Sequence, residues 1–169
     1  TAVLGLMEAP TMPQDGNVYL KMDARPYRFA IVPGSRDRLL CAGWELAGAD
    51  EFDDALDELS AAGVAYELLD AAEARARRVR AVARLQDPAG ATLELYHGAD
   101  LDYAKFVSPC GIPGFETGFN GNMGFGHVVL PVKNLQETRR FYKEVLGFGD
   151  TDYMHFHFSP DPADPGQGL

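Results

Sequence analysis

Two stretches of this chain share one spacing, and that repeat limits the fold more than any other feature. Asp50 and Asn134 are helix-capping residue types, and glycines follow each at the same interval, at Gly63 and Gly147. Between them, Phe52, Ala55, Leu56 and Leu59 form one apolar helical face, and Phe141, Tyr142 and Val145 form another. Glu137, three residues after Asn134, completes a capping-box pattern. A strand-like run precedes each helix: Leu39 to Leu46 around Trp44, and Gly126 to Val132. A strand, loop and helix used twice predicts a fold assembled from like modules.

The residues after the first unit extend it. Ala65 to Leu69, Val79 to Leu85 and Ala91 to Tyr96 read as strands, with a short surface helix over Ala71 to Arg78. Asp87-Pro88-Ala89-Gly90 is a type I turn joining the last two. Upstream, Val18, Leu20 and Met22 alternate with other residues, as do Tyr27, Phe29 and Ile31. This predicts two half-buried antiparallel strands around the turn Asp23-Ala24-Arg25-Pro26. Val3-Leu4-Gly5-Leu6 looks like Val145-Leu146-Gly147-Phe148, so Thr1 is expected inside a helix whose preceding strand is missing. At the other end Tyr153 to Phe158 opens a strand, and Ser159 to Gly168 runs into Pro, Asp and Gly. The expected class is α+β, with repeated βαβββ modules incomplete at both ends.

Charge narrows the partners. The 25 Asp and Glu against 15 Lys and Arg give a net charge of −10, which argues against nucleic acid as the main partner. No apolar run approaches the ~20 residues needed to cross a bilayer, so no membrane partner is expected. Cys41 and Cys110 form neither a CxxC pair nor a disulfide framework, which fits a reducing cytoplasm.

The ordered motifs resemble a known family. Gly126-His127-Val128-Val129-Leu130, the helix with Phe141-Tyr142, and Val145-Leu146-Gly147-Phe148 are similar to the type I extradiol ring-cleavage dioxygenases of the vicinal oxygen chelate (glyoxalase-like) superfamily. Asp37-Arg38-Leu39-Leu40, Ala42-Gly43-Trp44-Glu45, Asp87-Pro88-Ala89-Gly90, Glu94-Leu95-Tyr96-His97-Gly98 and Val107-Ser108-Pro109 agree in order. The resemblance covers nearly the whole chain and looks nearest to enzymes that open dihydroxybiphenyl and steroid-derived catechols. It implies four βαβββ modules in two domains. On that map residues 1–98 are most of an N-terminal structural domain, 99–124 a linker, and 125–169 the start of a C-terminal catalytic domain.

The resemblance also implies the chemistry. Its members hold one Fe(II) through two histidines and a glutamate, a facial triad that leaves positions open for a catechol and O2. His127 matches the first of those histidines, with Mn(II) as the alternative metal. The other two ligands and the acid/base residues are expected beyond Leu169. Val129, two positions on, faces the same way on a strand and by resemblance lines the catechol pocket. Phe156 by resemblance lies against the substrate ring. The family forms homo-oligomers, so the same is expected here.

Other residues carry blander readings. His155 and His157 share a strand face and read as a polar face rather than a metal pair. Glu94 falls where the superfamily's catalytic modules carry a glutamate ligand, but the matching histidine position falls on Trp44 or Gly43. Glu94 therefore reads as a relic or a surface residue, and the first domain as metal-free. His97 closes its strand, and Cys110 shows no sign of being a nucleophile. Two other functions stay open: the same fold used as a metal-free module that sequesters a small aromatic molecule, or a metal-dependent isomerase or lyase of the superfamily.

Overall fold

A computed structural model describes residues 3–115 and 128–150 of the chain. The expected alternation produces an antiparallel sheet of β1 (Met7–Glu8), β2 (Val18–Lys21) and β3 (Phe29–Ile31), in the order β1-β2-β3. Leu20 and Met22 are buried with Leu6, but Val18 and Ile31, register partners at the end of the β2–β3 ladder, stay exposed.

The second sheet is one complete module. Its elements are β4 (Ala42–Leu46), α1 (Ala49–Ala61), β5 (Tyr66–Leu68), α2 (Ala71–Ala76), β6 (Ala81–Gln86) and β7 (Thr92–His97). The strand order is β4-β7-β6-β5, with β4 parallel to β7 and the other pairs antiparallel. A parallel β4 needs a crossover before the sheet continues, and α1 supplies it. One face of the sheet carries Ala42, Leu85, Leu93 and Leu95, which pack with Leu59 of α1. Leu59 and Leu93 are fully buried, each worth about 2 kcal/mol of removed apolar surface.

Several local readings shift. β4 begins at Ala42, and Leu39 and Leu40 are exposed ahead of it with no ladder partner. The helix cap is Gly48 rather than Asp50, which sits in the first turn of α1 where a carboxylate suits the helix dipole. The chain leaves both repeated helices through left-handed glycines, Gly63 at φ +69° and Gly147 at φ +70°, and Gly5 repeats the conformation at +74°. α2 is the expected short surface helix, held by a capping box at Asp70 and anchored by the buried Ala74.

The second repeat folds back onto the first. Asn134 caps α3 (Leu135–Arg140) by accepting the Glu137 amide, and Glu137 answers through the Asn134 side chain rather than its backbone. The helix then widens into a π turn over Phe141–Val145, closed by Leu146 N–H donating to Phe141 O at 3.2 Å. Successive residues on an α-helix point about 100° apart. The wider turn brings Phe141 into the core of the β4–β7 sheet with Tyr142, Val145 and Leu146 beside it. Val128 to Val132 pair with no strand among the described residues, so the predicted strand is not seen over that part. No helix among the described residues is long and apolar enough to cross a membrane.

A buried ion pair ties the first sheet to the connecting segment. Lys21 is fully buried, on the side of β2 away from Leu20 and Met22. Its Nζ donates to Asp102 Oδ2 at 2.9 Å, Asp102 O at 3.3 Å and Ala104 O at 3.2 Å. Asp102 also accepts from Thr11 Oγ1 and the Ala104 amide. Its carboxyl is desolvated, yet the Lys21 ammonium and these donors together hold it below the usual carboxylate range. Asp102→Ala should cost on the order of 3 kcal/mol, because it leaves a charged lysine without its counter-ion. Chemical denaturation of the variant at neutral pH measures this. The same pair stabilises the chain above the ordinary carboxylate pKa of about 4, and its contribution falls as pH drops through the depressed value.

Candidate functional site

The inner face of the β4–β7 sheet, opposite α1, carries a polar row beside the buried Val82, which clusters with Leu69, Ala74 and Tyr96. Alternation along the strands puts Gly43, Glu45, Arg84, Glu94 and Tyr96 on this face and Trp44 on the other. Gly43 stands directly across from Glu94 in the parallel ladder. Of the two positions left open from the sequence, Gly43 is thus the one that shares a face with Glu94. It has no side chain to ligate a metal.

Glu94 is neither a relic left idle nor a surface residue. Its carboxylate accepts from Arg77 Nε at 2.8 Å and Nη2 at 2.9 Å, and from Arg84 Nη2 at 2.9 Å and Nε at 3.2 Å. The Arg77 fork is bidentate, a strong geometry for carboxylate binding. α2 ends at Arg77 and so delivers the guanidinium to the sheet. With two cations already on it, Glu94 has no role as a metal ligand in this arrangement. Among the described residues no group of three His, Cys, Asp or Glu side chains is placed to hold a metal ion. The sequence reading missed both arginines; the Arg-rich run after Ala71 was the available signal.

The neighbouring titratable groups respond to burial and to this cluster. Burial, with Glu94's negative charge adding to it, pushes the Cys41 thiol up to about 11, so it stays protonated at neutral pH. The Tyr27 phenol is pushed up to about 12, mainly by burial. Arg25, in the connection between β2 and β3, reaches Glu45 at 2.6 Å. His97 closes β7 as expected, with its ring 5.2 Å from that of Phe52.

The segment expected to carry the metal ligand lies against the opposite face. His127 and Phe156, with His155 and His157, lie outside the described residues. Val128, Leu130 and Val132 line a cavity of about 360 Å³ together with Ala42, Trp44 and Leu93. Val129 points away from this seam and is 88% exposed. Val129 is therefore separated from Val128, Leu130 and Val132, the side chains of its segment that line the cavity. Trp44 stacks edge-on against Phe148 at 4.8 Å, and its buried indole N–H has no hydrogen-bond partner among the described residues. Cys110 is exposed, with its sulfur beside the Ser108 hydroxyl.

Comparison with known proteins gives this geometry a context. Residues 1–34 match the family described as Dihydroxybiphenyl dioxygenase BphC D1, and residues 124–167 match the Glyoxalase/Bleomycin resistance protein/Dioxygenase superfamily. An iron-dependent extradiol dioxygenase of Rhodococcus jostii (strain RHA1) is 44% identical over 152 residues, 90% of this chain and 49% of that protein. A biphenyl-2,3-diol 1,2-dioxygenase of Paraburkholderia xenovorans (strain LB400) is 37% identical over 98% of this chain and 54% of its own length. The crystal structure of BphC, a halotolerant catechol dioxygenase, superposes with a TM-score of 0.77 at 32% identity, covering 88% of this chain and 49% of that one. The chain thus spans about half the length of the curated relatives it matches.

Replacing Glu94 by Gln should lower stability by about 1 to 2 kcal/mol, a buried-pair cost reduced because both guanidiniums are partly exposed. The variant should not change the metal content of the full-length protein. Thermal unfolding and metal analysis by mass spectrometry check the two halves of this expectation.

Proposed function

This chain is a homologue of the iron-dependent extradiol dioxygenases and carries the fold of their superfamily; from that premise we propose that the full-length protein is an Fe(II)-dependent extradiol dioxygenase. It opens the ring of a catechol with O2 in the breakdown of aromatic compounds, placing both oxygen atoms in a ring-opened semialdehyde-type product. The observation that carries this reading is 44% identity over nine-tenths of the chain to a relative of that name.

In this proposal residues 1–98 belong to a structural domain, 99–124 to a linker and 125–169 to the opening of the catalytic domain. His127 is the first metal ligand. A neutral imidazole is the form able to ligate, so loading should weaken as the ring protonates in acid. The metal supplies a common template for catecholate and dioxygen when it is bound. By likeness to the family, the remaining ligands and the acid/base groups are assigned to polypeptide beyond Leu169. Val129 provides apolar wall for the catechol ring on the exposed side of its segment, which suits a pocket completed by other parts of the full-length protein. Phe156 contributes a second apolar surface against that ring. The protein works in the cytoplasm as a homo-oligomer, without nucleic-acid or membrane partners; its acidic balance supports the first of these exclusions.

His127→Ala in the full-length protein should remove both bound iron and oxygen uptake with 2,3-dihydroxybiphenyl. Iron near one per chain with retained turnover in that variant would contradict the assignment.

A further inference from the structure

The π turn at Phe141–Val145 is the least expected element of the fold, and it sits where the two repeats meet. π turns recur at functional positions because they cost regular hydrogen bonding and persist only when something uses the altered register. Here the register sends Phe141 into the core of the β4–β7 sheet and turns the neighbouring Tyr142 toward the β6–β7 turn. The Tyr142 hydroxyl donates to Asp87 Oδ2 at 3.1 Å. Asp87 is itself immobilised: its other oxygen accepts the Ala89 amide at 2.9 Å and the Ala91 amide at 2.7 Å. Phe148 fills the remaining side, 4.8 Å from Trp44 and 5.4 Å from Tyr142.

These contacts fix α3 and the π turn against the sheet of the preceding module. A rigid turn accepts the hydrogen bond, and a rigid sheet receives the aromatic rings. We propose that Tyr142 is a positioning residue: through its bond to Asp87 it sets the placement of α3 and the π turn relative to the first module. The consequence for turnover rests on the extradiol reading, whereas the seam itself does not. Displacement of a functional group by a fraction of an ångström lowers the rate of chemistry more than it lowers binding.

The chain holds a single tryptophan, Trp44, and that residue lies in the seam, so its emission reports seam packing without any metal. In the purified 169-residue chain, Tyr142→Phe should shift Trp44 emission to the red and at least double its quenching by acrylamide. Asp87→Asn keeps the turn acceptor and still offers the phenol a hydrogen-bond partner, so it should leave emission near that of the parent. In the full-length iron-loaded protein Tyr142→Phe should lower kcat for a catechol about fivefold to tenfold with KM unchanged within twofold, and Asp87→Asn should retain most of kcat. Leu69→Val, which weakens a separate core cluster, should leave kcat unmoved at matched stability. Parent-like emission or parent-like kcat in Tyr142→Phe overturns the proposal, as does an equal kcat loss in Leu69→Val. Failure of the extradiol reading shows differently, as iron retained in His127→Ala with the fluorescence results intact.

Discussion

The ion pairing of one carboxylate by two guanidiniums governs how this molecule is read. Glu94 lies on the inner sheet face, at the place the family pattern gives to a metal-ligating glutamate. Arg77 and Arg84 occupy its oxygens, and the residue across the ladder is Gly43. A metal there would have to displace two charge-assisted contacts and find nitrogen ligands that the sheet does not provide. The cationic charge beside this glutamate is supplied by Arg77 and Arg84. The proposed metal role of His127 is therefore independent of this cluster.

The same module then acts as a platform. Its outer face carries two loads: α1 from its own sequence, and the Phe141–Phe148 segment from the next repeat. The Asp87 turn joins these roles, ordering the β6–β7 hairpin with one oxygen and holding Tyr142 with the other. Burial, with the negative charge of Asp87 beside it, raises the Tyr142 phenol above its ordinary range, so the donor keeps its proton at any physiological pH. The Lys21–Asp102 pair performs the corresponding task for the first sheet and the connecting segment. Neither tie depends on a metal.

Much of the fold was legible because short-range rules governed it. The cap of α3, the glycines that end α1 and the second repeated helix, the Asp87 turn and the six elements of the full module follow from local chemistry that the chain states openly. What escaped was set by tertiary contact. Lys21 occupies a polar position in an alternating strand, and only the later arrival of Asp102 buries it. The π turn has no composition signature; it arises because Phe141 and Tyr142 both find partners on the same sheet. Arg77 and Arg84 come to Glu94 from different elements, one ending α2 and one within β6, and no sequence spacing announces that meeting. For the candidate site, alternation separated Val129 from the packed side chains of its segment, while the ligand role of His127 rests on likeness to relatives.

The division of labour between the two halves is tested most directly by anomalous diffraction at the iron absorption edge from crystals of the full-length protein. The account predicts one strong peak within bonding distance of the residue-127 imidazole and none on the sheet face that carries Glu94. A peak beside Glu94, or an imidazole at residue 127 surrounded by hydrocarbon with iron bound elsewhere, would contradict it.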